Sequence, residues 1–290
     1  MAAANGASRR PGGVTALMLG PATVFFMLLL ILPLAVVIIY SFGERAPAGG
    51  YAPAFTFDNY LNLPSRGKAF LNTLTMAPLG TLLCAVVAYP LAYYLAIRAP
   101  ARIRTLLLVL VIVPFWTSQL LRIYAWLLIL GNKGLPSLLA LVGFDDVRLV
   151  NTPFAVLVGM VYGYLPLMVF PIYVSLERLD NRLLEASADL GASPWRTFLQ
   201  VTLPMSLPGV ATGSLLVFIL LMGEFIIPAL LGGGKVFFIG NALVDLFLQS
   251  RNWAFGSAVA VALVVIMLLA VGIAMRFARR VGVSRDEALL

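Results

Sequence analysis

Arg122 and Glu224 each stand as the single ionisable residue in a long apolar run, 105–130 for the arginine and 203–234 for the glutamate. A charge near the middle of a bilayer costs at least about 2.5–3.5 kcal/mol, so such groups face protein interior or water. Two arrangements fit. The pair forms a salt bridge that fixes helix packing, or Glu224 draws a cationic substrate through the outer part of a pathway. On continuous helices Arg122 lies 17 residues after Thr105 and Glu224 lies 18 after Ser206. Those offsets are about 26 and 27 Å, similar depths in the outer half. Phe115, Gln119, Arg122 and Trp126 recur at helical spacing, as one stripe. Trp116 and Tyr124 sit beside it, and Tyr162 stands in the next apolar run. Aromatic faces attract ammonium groups. The same residue types also anchor helices at membrane interfaces.

Bond-making chemistry is poorly supplied. The chain has no histidine, which excludes imidazole metal sites and triads that need a histidine base. Its one cysteine, Cys84, lies inside an apolar run and has no partner for a disulfide within the chain. Gly232-Gly233-Gly234-Lys235 lacks the first glycine and the Ser/Thr of a phosphate-binding loop. No cofactor, metal site or ATP-hydrolysing centre is expected in this chain.

The elements that hold these residues are membrane spans. Mean hydropathy is +1.00, 61% of the 290 residues are hydrophobic and 11% are charged. Six runs reach the roughly 20 apolar residues that a span needs: 14–43, 69–97, 105–130, 149–176, 203–234 and 252–275. The run 236–244 is too short to cross. An open sheet cannot satisfy its backbone in lipid, so six helices are expected, an all-α membrane protein. The first run is too long for a secretory signal core, and Pro11 with its glycines fits a twin-arginine signal poorly.

The net charge of +8 is placed by position rather than by an affinity for nucleic acid. Arginines concentrate in the tails and in alternate loops, above all in the acid-free turn 98–104. That bias puts both termini in the cytoplasm and makes membrane lipid the surrounding partner. Residues 1–13 and 279–290 are then cytoplasmic tails, and 44–68 is an outer loop with a short surface helix capped by Asp58. The fourth span, with Gly159, Gly163, Pro166 and Pro171, should be irregular. A surface helix is expected near 241–250. Gly256 and Ala260 give the sixth span a small-residue contact point. Asp145, Asp146 and Asp245 in the outer loops are available to a binding protein or simply solvated.

The stretch EASADLGASPWRTFLQVTLP, 185–204, is polar and sharply punctuated between two spans. Asp180 suits a helix N-cap. Gly191 suits the left-handed residue that ends a helix. Ser193-Pro194 suits the start of a second one. Leu203-Pro204 should end it, because the residue before proline avoids helical geometry. The result is a helix–turn–helix elbow on the cytoplasmic side. It is either a plain structured loop or a rigid element that takes force from a soluble partner.

The spacing Glu185-Ala186-Ser187, then Gly191, then Val201-Thr202-Leu203-Pro204 resembles the E-A-A…G…I-x-L-P signature of permease subunits in bacterial ATP-binding-cassette importers. Ser187 and Val201 depart mildly from it. The stretches PFWTSQLLRIYAWLLILGNKG, TPFAVLVGMVYGYLPLMVFPIYVSLERLD and GEFIIPALLGGGK are similar to the spermidine/putrescine branch of that family, and the likeness covers most of 15–278. The resemblance implies a type I importer permease fold over 69–278 behind the first span, in a bacterial cytoplasmic (inner) membrane. It implies a coupling helix at about 181–202. Glu185, Ala186 and Ser187 would lie on the docking surface, Gly191 and Ala192 at the bend, and Leu203-Pro204 at the entry to the next span. It implies as partners two ATPase subunits, a second homologous permease, and a periplasmic or lipid-anchored solute-binding protein. Spermidine or putrescine is the implied cargo, with another small organic ion, such as an opine or amino-acid derivative, as the alternative. An ion-gradient carrier and an intramembrane enzyme are the competing classes. The first usually shows internal repeats and ionisable residues at the midplane, and the second lacks a persuasive cluster of Ser, Asp or Cys in the spans.

Overall fold

The computed structural model describes residues 12–144 and 147–280. The tails 1–11 and 281–290, and with them Asp145 and Asp146, lie outside the described residues. In chain order the helices are α1 (Gly12–Ser41), α2 (Asp58–Leu61), α3 (Gly67–Tyr93), α4 (Ala101–Trp116), α5 (Gln119–Leu130), α6 (Leu135–Ala140), α7 (Pro153–Glu177), α8 (Asn181–Asp189), α9 (Pro194–Thr197), α10 (Leu203–Met222), α11 (Ile226–Leu231), α12 (Ile239–Val244) and α13 (Trp253–Arg280). A two-residue antiparallel hairpin, β1 (Glu44–Arg45) with β2 (Tyr51–Ala52), interrupts the otherwise helical chain. Six helical segments are long and apolar enough to cross a membrane: Met18–Ser41, Leu63–Arg98, Gln119–Ala140, Pro153–Glu177, Pro194–Met222 and Trp253–Arg276.

The core is built by α3, α7 and α10, which pack on one another. What lets them approach is a file of small residues on α3: Ala69, Thr73, Ala77, Thr81, Cys84, Ala88 and Ala92, all buried at steps of three or four. Small residues bring helix backbones close, which is the main source of attraction between helices in lipid. Gly80 faces Met160 of α7 and Leu221 of α10, where the three helices meet. Further along, a Cβ on Gly209 would stand 2.4 Å from the Pro171 carbonyl. Tyr89 on α3 and Ser206 on α10 join hydroxyls at 2.8 Å. By contrast, α1 packs mainly against α13, with none of its apolar window buried, and is tied at its end by the Ser41 and Tyr60 hydroxyls, 2.6 Å apart.

Five expectations need correction. The third apolar run is not one helix. Pro114 lacks the N–H that would continue the ladder, and Thr117 and Ser118 take extended geometry, with ψ of 155° and 132°. Thr117 uses both its amide and its hydroxyl on the Pro114 carbonyl, so the end of α4 is closed off. The fourth span, expected to be irregular, runs unbroken as α7 with Pro166 and Pro171 inside it. The backbone of α10 is drawn close to it, with Gly209 beside the Pro171 carbonyl and Gly213 beside that of Met168. Helix α7 begins at Thr152, whose side chain accepts from Ala155 N at 3.3 Å.

The helix of the elbow does not end at Leu203. Leu203 is helical (φ −63°, ψ −50°) and donates its N–H to the Phe198 carbonyl, five residues back. This wide π turn, Phe198–Thr202, makes room for the Pro204 ring and carries α9 into α10. Ala99 before Pro100 makes the same five-residue bond, donating to Tyr94 O at 2.8 Å, but it is extended (φ −68°, ψ 129°) and the helix ends there. Asp58 is not a side-chain cap; it opens α2 and donates its own N–H to Thr56 Oγ1 at 3.1 Å. The helix expected near 241–250 is present as α12 and its π turn Asp245–Gln249, but it does not lie at the surface. Phe238, Ile239 and Ala242 are fully buried. Its start is held from α3, where Thr73 Oγ1 accepts from Ile239 N at 2.9 Å and Asn72 donates to Phe237 O at 3.0 Å. Gly256 is buried and faces Phe247 of this inserted segment.

Candidate functional site

The elbow forms as its residue types require. Asp180 accepts from Arg182 N at 3.0 Å and starts α8. Gly191 stands at φ +76°, the left-handed conformation glycine adopts without steric cost. Ala192 N donates to Ser187 O and Gly191 N to Ala188 O, the paired bonds of a Schellman cap. Ser193 then accepts from Arg196 N at 3.4 Å, and Pro194 opens α9. The two arms are tied by the Ser187 and Thr197 hydroxyls, 2.9 Å apart.

Exposure along the elbow is uneven. Glu185, Ala186 and Pro204 are exposed, whereas Ser187, Ala192 and Leu203 are half-buried. Leu190 is 88% exposed and Trp195 is 69% exposed, so two large apolar side chains project from a polar loop. The second arm is anchored through Phe198, which stacks on Trp195 at 5.5 Å and meets Tyr89 and Tyr93 of the α3 region edge-on. In the sequence Phe198 reads only as part of an apolar face; its place six residues before Pro204, where the π turn opens, is the one local signal of its role. At the base of the first arm Tyr173 donates to Glu177 at 2.6 Å, and Arg104 of α4 reaches Glu177 at 3.8 Å.

At the other end of α10 the chain breaks at Gly223, and Glu224 fills the gap before α11. The glutamate is 5% exposed. Its Oε1 accepts from the N–H groups of Phe225, Ile226 and Ile227 at 2.9, 2.8 and 3.3 Å, the free donors of the α11 start. Its Oε2 accepts from Gln119 Nε2 at 3.2 Å and from the Tyr164 hydroxyl. The Arg122–Glu224 salt bridge is not formed; the ion pairs among the described residues are Arg66–Asp245 and Arg104–Glu177. The reason is local: the carboxylate is turned onto a helix N-terminus, where its charge is already stabilised.

Arg122 lies in the first turn of α5 with its guanidinium 5.5 Å over the Phe115 ring, and its Nε has no hydrogen-bond partner. Phe115 belongs to α4 and Gln119, Arg122 and Trp126 to α5, so the expected single stripe is split by the Thr117-Ser118 break. The contact survives because it is made across the bend. Trp126 meets Tyr162 edge-on at 5.5 Å. Tyr124 stands apart from that pair, on the wall of a groove with Phe225. Trp116, at the end of α4, is 81% exposed and joins neither. Asp245 pairs with Arg66 at 3.1 Å. Among the described residues no group of three or more His, Cys, Asp or Glu side chains is placed to hold a metal ion.

The arrangement therefore offers a rigid, exposed elbow at one end and a helix-break cluster at the other, joined through the core. Spermidine/putrescine transport system permease protein PotB of Haemophilus influenzae is 43% identical over 251 residues, 85% of this chain and 86% of that protein. The protein of the same name from Escherichia coli is 43% identical over 248 residues, 84% of this chain and 90% of that one. In fold, the chain matches a crystal structure of the bacterial alginate ABC transporter in complex with alginate pentasaccharide-bound periplasmic protein. The TM-score is 0.75 at 19% identity, over 92% of this chain and 94% of that one. The model of the binding-protein-dependent transport system inner membrane components matches residues 88–283. With more than half its length under that model, the chain belongs to the family of binding-protein-dependent transport system inner membrane components.

Proposed function

We propose that the chain forms part of the translocation pathway of an ATP-driven importer for a linear polyamine, spermidine or putrescine. It works with a second permease, two ATPase subunits and a periplasmic or lipid-anchored solute-binding protein. The elbow and both termini face the cytoplasm of a bacterial inner membrane. The polyamine assignment is supported by the names of the relatives that match at 43% identity.

One observation carries the mechanism. The helix from Pro194 to Met222 is uninterrupted over 29 residues, with the elbow at its start and the Glu224 break just past its end. At 1.5 Å per residue it is a rod of about 43 Å. Closure of the ATPase subunits on ATP displaces the docked elbow. The Schellman cap and the Ser187–Thr197 bridge make the two arms move as one body. Phe198 passes the displacement to α3, and the rod passes it to the break. There Glu224, Gln119 and Tyr164 hold α5, α7 and α11 in one geometry, and shifting the rod disturbs all three contacts together. The aromatic rings of Tyr124, Trp126 and Tyr162 supply cation-attracting faces along the pathway, and Trp116 supplies one at its margin. Glu224 sets the shape of that pathway instead of binding the cation itself, because its oxygens are already occupied.

The test is uptake of labelled spermidine into proteoliposomes holding the assembled transporter. Accumulation that requires ATP and the ATPase subunits is expected. Accumulation driven by an ion gradient without ATP would overturn the importer reading.

A further inference from the structure

We propose that Asp245 receives a primary ammonium group of the substrate, displacing Arg66 from its carboxylate. The proposal rests on the polyamine reading above and adds where the cation is first held. A groove of about 800 Å³ runs beside the Glu224 cluster. That volume suits a small organic ligand. One wall is apolar and aromatic, with Leu120 and Tyr124 from α5 and Phe225 from the break. The other carries Asn241, Asp245 and Gln249, four residues apart along the helical segment Ile239–Gln249. An aromatic face opposite a carboxylate is the arrangement that recognises an alkylammonium ion.

Two acids lie near this groove, and their occupancy separates them. A carboxylate offers about four lone-pair sites. Glu224 fills its sites with three backbone amides, Gln119 and Tyr164. Asp245 has one side-chain partner among the described residues, Arg66 on Oδ2 at 3.1 Å. Both members of that pair are about a third exposed, at 29% and 30%, so the bridge is screened and weakly held. Exchanging a guanidinium for an ammonium keeps the carboxylate paired, and the released Arg66, at 29% exposure, turns its guanidinium to water. Asn241 is not available to the ligand. It accepts from Phe238 N at 3.1 Å and donates to Phe225 O at 2.7 Å, which fixes one wall to the other. The built-in arginine acts as a placeholder that leaves when a polyamine arrives.

The test uses the assembled transporter in proteoliposomes with labelled spermidine. Asp245→Asn is expected to raise KM by about tenfold, the loss of one charge-assisted hydrogen bond, with the maximal rate within about twofold of wild type. Arg66→Gln is expected to move KM the other way, because it removes the competitor. An ion pair that serves only to hold the loop would give the same loss in both variants, and that result would overturn the proposal. In a Gln249→Cys variant, maleimide labelling should be slowed by spermidine. Labelling indifferent to spermidine, or blocked in the assembled complex because a protein partner fills the groove, would also overturn it. Wild-type vesicles that accumulate no spermidine sink the polyamine reading itself. Wild-type import with unchanged KM in Asp245→Asn sinks only the role of Asp245.

Discussion

The Tyr164 hydroxyl donates to Oε2 of Glu224, the same oxygen that receives the Gln119 amide. Through one carboxylate, α7, α5 and the start of α11 are held at a single point inside the membrane region. Both ionisable residues of the apolar runs thus sit at helix breaks, where backbone donors and bends provide what a continuous helix lacks. The glutamate has found its counter-charge in peptide dipoles, and the nearby arginine has found an aromatic ring.

Glu224→Gln should destabilise the protein, although its shape is conserved. Every partner of the carboxylate is a donor, so an amide NH₂ placed there faces donors and leaves one or more unmatched. A buried unsatisfied group costs about 1–3 kcal/mol. Thermal unfolding in detergent should show a lowered midpoint, and uptake should show a lowered rate with KM for spermidine unchanged. A large rise in KM with normal stability would instead place the carboxylate in direct contact with the cation.

Gly209 and Gly163 should respond differently to the same added methyl group. At Gly209 the new carbon meets the Pro171 carbonyl at 2.4 Å and Ser175 Cβ at 2.6 Å, and main chain cannot step aside. At Gly163 the nearest atom is the tip of Ile227 at 3.7 Å, ordinary contact. Overpacking costs about 1–3 kcal/mol. Gly209→Ala should therefore lose thermal stability, and Gly163→Ala should match wild type within about 0.5 kcal/mol.

What the sequence makes legible is whatever depends on neighbours along the chain. The elbow is the clearest case: Asp180, Gly191, Ser193 and Pro194 each act within a few residues, and each acts in the structure as its type implies. The six apolar segments are legible for the same reason. The breaks are not. Pro114 and Pro204 are both prolines in apolar surroundings, yet the first ends its helix two residues on and the second is absorbed by a π turn. The difference lies in Thr117-Ser118 after one and in the Phe198 clamp before the other. The Arg122–Glu224 bridge expected of two charges in lipid is absent because the α4–α5 break interrupts the continuous helix that depth matching needs, and because the free amides of α11, which carry no mark in the sequence, take the carboxylate. The burial of Ile239–Gln249 depends on Thr73 and Asn72, more than 160 residues away.

Leu190→Ala and Trp195→Ala should separate folding from coupling. Both side chains are largely exposed, so truncation should leave stability within about 0.5 kcal/mol of wild type. Interfaces draw most of their affinity from a few such apolar and aromatic anchors, and losing one costs about 2 kcal/mol or more. Each variant should bind the ATPase subunit at least about tenfold more weakly in a pull-down titration, a shift of 1.4 kcal/mol. Unaltered binding in both would remove the docking role from this face.

Gly191 provides the sharpest backbone test, because nothing lies within 4 Å of an added Cβ. Any effect of substitution then comes from the left-handed φ of +76° and not from a clash. An alanine there costs about 1–2 kcal/mol, and asparagine, which tolerates the region, costs less. A valine is worse than either, since branching at Cβ makes positive φ an outlier. The order Gly, Asn, Ala, Val should therefore appear in spermidine-stimulated ATP hydrolysis by the assembled transporter, with hydrolysis progressively uncoupled from uptake. Because the cap is local, the midpoint for unfolding of the membrane core should stay nearly constant across the series. If uptake per ATP were the same in Gly191→Val as in wild type, a rigid bend at this residue would not be what transmits the motion.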